Sequence, residues 1–220
     1  MAYKNITISG FPGAGSTTLL NALKEELKFE GWTGFSGGEF MRAYAAEQGL
    51  LDPKSGKLHH SAATYSDDFD RQVDYGMRAR LQKGEGWILE SWLSGFLAQG
   101  VPDVLKVLMI CSDEAVKVDR IMNRDDVPAE EAVANMRERY NTNYNKWSRM
   151  YQEEWENWVV TAGKAESGEK IDFWKPELYD IVIDTYSTNK QDAFQRVLKA
   201  LYESRQKQDQ QKTPAAQAKA

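Results

Sequence analysis

Asn5 to Phe29 reads NITISGFPGAGSTTLLNALKEELKF, and the fold turns on it. Asn5 to Ser9 is a short, β-branched apolar run that ends in glycines, and Leu19, Leu20, Leu23 and Leu27 then recur at helical spacing. The order is strand, glycine loop, helix. Further strands are expected at Gly86 to Glu90 (GWILE), Val104 to Ile110 (VLKVLMI) and Tyr179 to Ile183 (YDIVI), with helical patterns between them. Strands that alternate with helices pair in parallel, with helices covering both faces of the sheet. Asp113 to Trp158 reads as mostly helical, with Pro128 opening a new helix at Ala129. Leu50 to Ser66 has turn residues and no period and is expected to be an irregular excursion. Thr161 to Lys170 reads as a loop, and the Gln-, Lys- and Ala-rich end from Gln206 as a disordered tail.

A length of 220 residues suits one α/β domain, taken as 1–205, with a small lid and not a second large domain. The net charge of −5 supplies no basic field for nucleic acid, so an anionic ligand must be captured locally. Cys111 is the only cysteine, which excludes an intrachain disulfide and a cysteine-built zinc site and fits a reducing cytosol. The start MAYKNITISG carries no apolar signal segment and no run reaches membrane-spanning length, so a soluble, cytoplasmic protein is expected.

In GFPGAGSTT, Gly10 and Gly15 frame four residues as in the phosphate loop G-x-x-x-x-G-K-[ST], but Ser16 stands where the lysine belongs. The strict motif fails while its physics survives. Glycines permit a tight anion-cradling turn, backbone amides point inward, and the next helix offers its positive end to phosphate. Gly10, Gly13, Ala14, Gly15, Ser16, Thr17 and Thr18 are therefore the candidate donor-nucleotide residues, with Thr17 as the magnesium-side hydroxyl. Without a ligand the same stretch is simply a glycine-rich strand-to-helix turn.

GAGSTT resembles the loop of archaeal-type cytidylate kinases, which commonly carry a hydroxyl residue in place of the lysine. The resemblance continues, in order, through SGGEFMR (Ser36 to Arg42), FDRQVD (Phe69 to Asp74), WILESWLSG (Trp87 to Gly95), VDRIMNR (Val118 to Arg124) and YDIVIDT (Tyr179 to Thr185). It implies a three-layer P-loop fold with a small helical lid, binding ATP, Mg2+ and a pyrimidine monophosphate, CMP or dCMP. It places Arg42 against the acceptor phosphate, with Gly37 beside it. Asp70 and Asp74, four apart on one helical face, line the acceptor cleft or form local ion pairs with Arg71 and Arg78. Glu90 closes an apolar strand at its carboxyl end, where open α/β sheets place ligands. The resembled family usually continues this acid into an acceptor-binding arginine; here Trp92 stands at that place, either stacking on a base or, as expected of a large aromatic, packing under the lid.

Without a loop lysine, cationic charge for the loose, oxygen-charged transition state must come from elsewhere. Arg120 and Arg124 lie one helical turn apart, and Arg137 and Arg139 lie beyond the 125–129 turn, an arrangement suited to a closing lid at about 120–150 over an acceptor region at about 36–85. The family match covers Arg120, Arg124 and Arg139 best, and these are the candidate catalytic residues. If they carry the cationic role, Ser16 is a small filler in the turn. Tyr140, Tyr144, Trp147, Tyr151, Trp155 and Trp158 form a helical stripe, read as core or partner surface and not as a nucleic-acid platform. The reading is an ATP-dependent kinase of CMP or dCMP, taken as a monomer. A kinase for another small phosphate acceptor and a silent nucleotide binder stand as competitors.

Overall fold

The computed structural model describes residues 2–47 and 65–212. Five parallel strands form one sheet in the order β2 (Thr33–Ser36), β3 (Trp87–Glu90), β1 (Asn5–Gly10), β4 (Val104–Ile110), β5 (Ile181–Asp184). Every residue of β1 is buried, as the apolar run requires of a central strand. The four expected strands are present, and β2 is a fifth at the edge. Its sequence TGFS has no apolar run, and Gly34 is there because Lys24 packs so closely that a Cβ would lie 2.1 Å from its Cγ. The register pairs Ile8 with Glu90 and Ser36 with Glu90, so the carboxyl ends of β1, β2 and β3 meet.

One face of the sheet is covered by α1 (Ser16–Leu27) and α8 (Lys190–Lys212), where Leu20, Leu23 and Leu27 pack with Ile6, Val197 and Leu201. The other face is covered by α3 (Asp67–Lys83) and α4 (Ser94–Leu97) with the segments around Tyr151, Trp155 and Phe173. Between β2 and α3 lies α2 (Gly37–Glu47); α5 (Glu114–Asp125), α6 (Ala129–Met150) and the short α7 (Gln152–Trp155) complete the helices that bear on the site. The fold is a three-layer α/β P-loop fold.

α5 and α6 meet at a turn in which Asp126 is left-handed at φ 52° and Pro128 is extended. They share a small apolar cluster of their own, Val118, Ile121, Val127 and Ala132. The aromatic stripe is core from Tyr144 onward: Tyr151 and Trp155 are fully buried, Tyr144, Trp147 and Trp158 pack against the same cluster, and Tyr140 at its start is exposed. Trp92 lies among Phe11, Trp147 and Trp174, so packing accounts for it. Two expectations change at the ends of segments. α8 continues past Gln206 to Lys212, because Gln, Lys and Arg are good helix formers, while 213–220 lie outside the described residues. Most of the 50–66 excursion also lies outside them, although Ser66 caps α3 by accepting from the Phe69 amide. Among the described residues no helix is long and apolar enough to cross a membrane.

Candidate functional site

A cavity of about 930 Å³ opens where the carboxyl ends of β1, β2 and β3 meet. Its donor half is the glycine loop. Gly13 and Gly15 sit at φ 83° and 87°, and a Cβ on Gly13 would lie 2.9 Å from the Lys117 carbonyl oxygen. Gly10 is equally confined, since its Cβ would lie 2.9 Å from the Met109 carbonyl oxygen. α1 then begins with no side-chain cap, and the amides of Ser16, Thr17 and Thr18 meet no acceptor among the described residues. An uncapped helix start facing a cavity suits phosphate. The Thr17 hydroxyl lines the cavity and likewise has no partner among the described residues, which fits a magnesium-side ligand. No group of three acidic, His or Cys side chains that could hold a metal occurs among the described residues.

The Ser16 side chain corrects its expected role as a filler. Its hydroxyl donates to Glu90 Oε1 at 2.8 Å, and Ser36 donates to Oε2 at 2.6 Å, so one buried carboxylate ties the glycine loop to the end of β2. Burial pushes the Glu90 carboxyl above its ordinary range, against the downward pull of both hydroxyls and Arg42. Each oxygen of Glu90 thus accepts one hydrogen bond from the protein. Ser16→Ala leaves Oε1 buried without a donor and is expected to lower stability by about 1–3 kcal/mol in urea unfolding. Unchanged stability would show that the bridge contributes nothing.

The four candidate arginines have different surroundings. Arg120 donates to the Gly13 carbonyl at 3.0 Å and to the Thr185 hydroxyl and carbonyl at 2.7 and 2.9 Å. It therefore locks α5 to the glycine loop and the β5–α8 turn, and does not project freely as a lid cation. Arg124 grips Asp125 with two hydrogen bonds, at 2.7 and 2.6 Å. Arg42 and Arg139 form no ion pair among the described residues, and both line the cavity. Burial, with Arg124 and Arg42 as like charges, brings the Arg139 guanidinium down to about 10. Trp92 lies under it at 5.5 Å. Arg137 lines a separate crevice of about 280 Å³ and not this one.

On the acceptor side, Gly37 lets α2 begin against β3, since its Cβ would already lie 3.2 Å from that of Ser91. Asp70 lines the cavity in an ion pair with Lys146 at 2.7 Å, both side chains being buried. Burial raises the Asp70 carboxyl while Lys146 opposes. Asp74, one turn further, is pushed up to about 7, mainly by burial. Asn143 and Lys146, both on α6, were missed by sequence reasoning. The available signal was an asparagine, Asn143, at helical spacing from Tyr140 and Trp147 within the aromatic stripe.

The cavity thus brings the glycine loop together with Gly37, Arg42, Asp70, Glu90, Arg120, Arg124 and Arg139, while Ala14 is buried behind the loop and Arg137 lies elsewhere. The family model described as "AAA domain" matches residues 6–141. The chain is 28% identical over 209 residues to a "Cytidylate kinase" of Haloarcula marismortui, covering 95% of each chain. It is 30% identical to a "Cytidylate kinase" of Methanosarcina mazei, covering 84% of this chain and 89% of that one. Among solved structures, an uncharacterized protein from Eubacterium ventriosum superposes with a TM-score of 0.56 at 14% identity, over 90% of this chain and 98% of that one. A gluconokinase from Sinorhizobium meliloti gives 0.50 at 12%, over 94% and 97%; both bear on the fold alone. Fold, loop and relatives define a P-loop phosphotransferase. The chain belongs to the archaeal-type cytidylate kinase family.

Proposed function

We propose that the protein is an ATP-dependent nucleoside-monophosphate kinase acting on CMP or dCMP. The observation that carries this reading is that Arg42 and Arg139, without ion-pair partners among the described residues, share one cavity with the uncapped start of α1. Unneutralised guanidiniums beside free amides suit two phosphorylated ligands held end to end. The cytidine base comes from the names of the relatives.

In this reading Gly10, Gly13, Ala14, Gly15, Ser16, Thr17 and Thr18 hold the ATP phosphates, Ser16 through its amide. Arg42, with Gly37 at its side, holds the acceptor phosphate. An oxygen of that phosphate attacks the γ-phosphorus in line, the bond from the γ-phosphorus to its bridging oxygen breaks, and ADP departs carrying that oxygen. Magnesium, when bound at Thr17 and the phosphates, supplies charge neutralisation. Arg139 on α6 and Arg124 on α5 serve the transferring group as lid arginines, and Arg120 keeps the base of that lid registered on the loop. Glu90 holds the loop and the start of α2 in mutual register, and Lys146 on α6 fixes Asp70 in the acceptor wall.

The test is ADP release with ATP, magnesium and a panel of nucleoside monophosphates. Turnover that follows CMP or dCMP supports the assignment; ATP binding without acceptor-dependent turnover favours a silent binder. Arg42→Ala is expected to raise the KM for the monophosphate about tenfold or more with little change for ATP, because only the acceptor touches it. Equal effects on both substrates would count against the placement.

A further inference from the structure

The acceptor side of the cavity holds two polar side chains that phosphoryl transfer leaves without a task. Asp74, on α3, lines the cavity with one oxygen occupied: Oδ2 accepts from the Tyr151 hydroxyl at 2.6 Å. Its Oδ1 has no hydrogen bond among the described residues. Asn143, on α6, lines the same cavity at 6% exposure, and its Oδ1 is sealed from solvent without a donor. Its amide nitrogen also donates to nothing among the described residues. Buried polar groups are ordinarily satisfied, so an unsatisfied carboxamide and a carboxylate with one oxygen unbonded in one wall ask for a ligand. Val73, Met77 and Trp147 supply apolar surface beside them, suited to a flat ring. Lys146 pairs with Asp70 and donates to the Tyr65 carbonyl, and it acts on Asp74 as a nearby charge.

We propose that Asp74 and Asn143 read the acceptor base, Asp74 accepting from an exocyclic amine and Asn143 bonding the adjoining ring edge, so that an aminopyrimidine is chosen over its 4-oxo counterpart. The inference rests on the kinase reading above and adds its specificity determinants. The 4-amino group of cytosine donates and its ring N3 accepts, whereas in uracil both are reversed. A carboxamide turns to suit either pattern, so Asn143 contributes affinity for both bases. An ionised carboxylate only accepts, so Asp74 sets the sense: the amine is welcomed, and a carbonyl oxygen is left facing Oδ1. The groups facing Asp74 are Asp70 on its own helix, Lys146 on α6 and Tyr151 beyond it. Burial brings its carboxyl up to about 7, and a donating amine favours the ionised form.

The experiment is steady-state kinetics at about pH 8, where the carboxylate is ionised, with CMP, UMP and the 2-pyrimidinone ribonucleoside monophosphate that lacks any 4-substituent. Wild type is expected to favour CMP over both by at least about tenfold in kcat/KM. Asp74→Asn, of the same shape but able to donate, is expected to lower kcat/KM for CMP and raise it for UMP, cutting the preference at least about tenfold with the KM for ATP unchanged. Asn143→Ala should weaken both pyrimidines together. A wild type that takes the 2-pyrimidinone as readily as CMP, or a folded Asp74→Asn that keeps the preference, overturns the base-reading role and leaves the kinase standing. Turnover of neither CMP nor UMP overturns both. If Asp74→Asn does not fold, the three acceptors on wild type decide alone.

Discussion

Arg139→Ala is expected to lower kcat on the order of a hundredfold or more, with little loss of stability. The magnitude is the low side of what a transition-state arginine contributes. Arg139 is held half-buried beside Arg124 and Arg42, with no ion-pair partner among the described residues, and its guanidinium is brought down to about 10. An arginine so placed is costly in the free protein, and a transferring phosphoryl group with its charged oxygens is what compensates it. Removing it relieves like-charge repulsion, so the melting temperature should hold or rise while turnover collapses. Arg124 differs, because Asp125 already holds it through two hydrogen bonds, and it must leave that partner to reach a ligand. Arg124→Ala should therefore cost less than Arg139→Ala. A folded Arg139→Ala enzyme with kcat within about threefold of wild type would sink the lid assignment.

What the sequence made legible was local. Strand, glycine loop and helix are read from neighbouring residues, and the left-handed Gly13 and Gly15 fall where the motif puts them. The missing lysine was equally plain, but its consequence was not. Ser16, Glu90 and Ser36 are joined by sheet register, across 74 and 54 residues, and no periodicity reports such a pairing. The edge strand β2 is not legible in its own composition, although the resemblance of SGGEFMR implies a strand end at Ser36: TGFS is a strand because β3 pairs with it. The arginines could be grouped by spacing but not ranked. Arg120 is drawn to carbonyls of the loop and of Thr185, Arg124 to its neighbour Asp125, and only Arg42 and Arg139 are left open to the cavity.

Thr17→Ala should lower magnesium-dependent turnover about a hundredfold while leaving the fold intact. The two adjacent hydroxyls at the start of α1 divide the work physically. That of Ser16 is buried and committed to Glu90, whereas that of Thr17 lines the cavity with no partner among the described residues. Only the second is available to a cation held between loop and phosphates, and losing one ligand or its direct support typically costs metal affinity 10- to 100-fold, roughly. The position tolerates alanine, because the helix start takes no side-chain cap from Thr17 and alanine is the best helix former. Thr17→Ser retains the hydroxyl and should recover most of the activity, which separates loss of the ligand from a packing defect. Magnesium titrations of all three proteins decide it: Thr17→Ala should need far more magnesium for half-maximal turnover, and a curve that coincides with wild type would mean that Thr17 does not hold the ion.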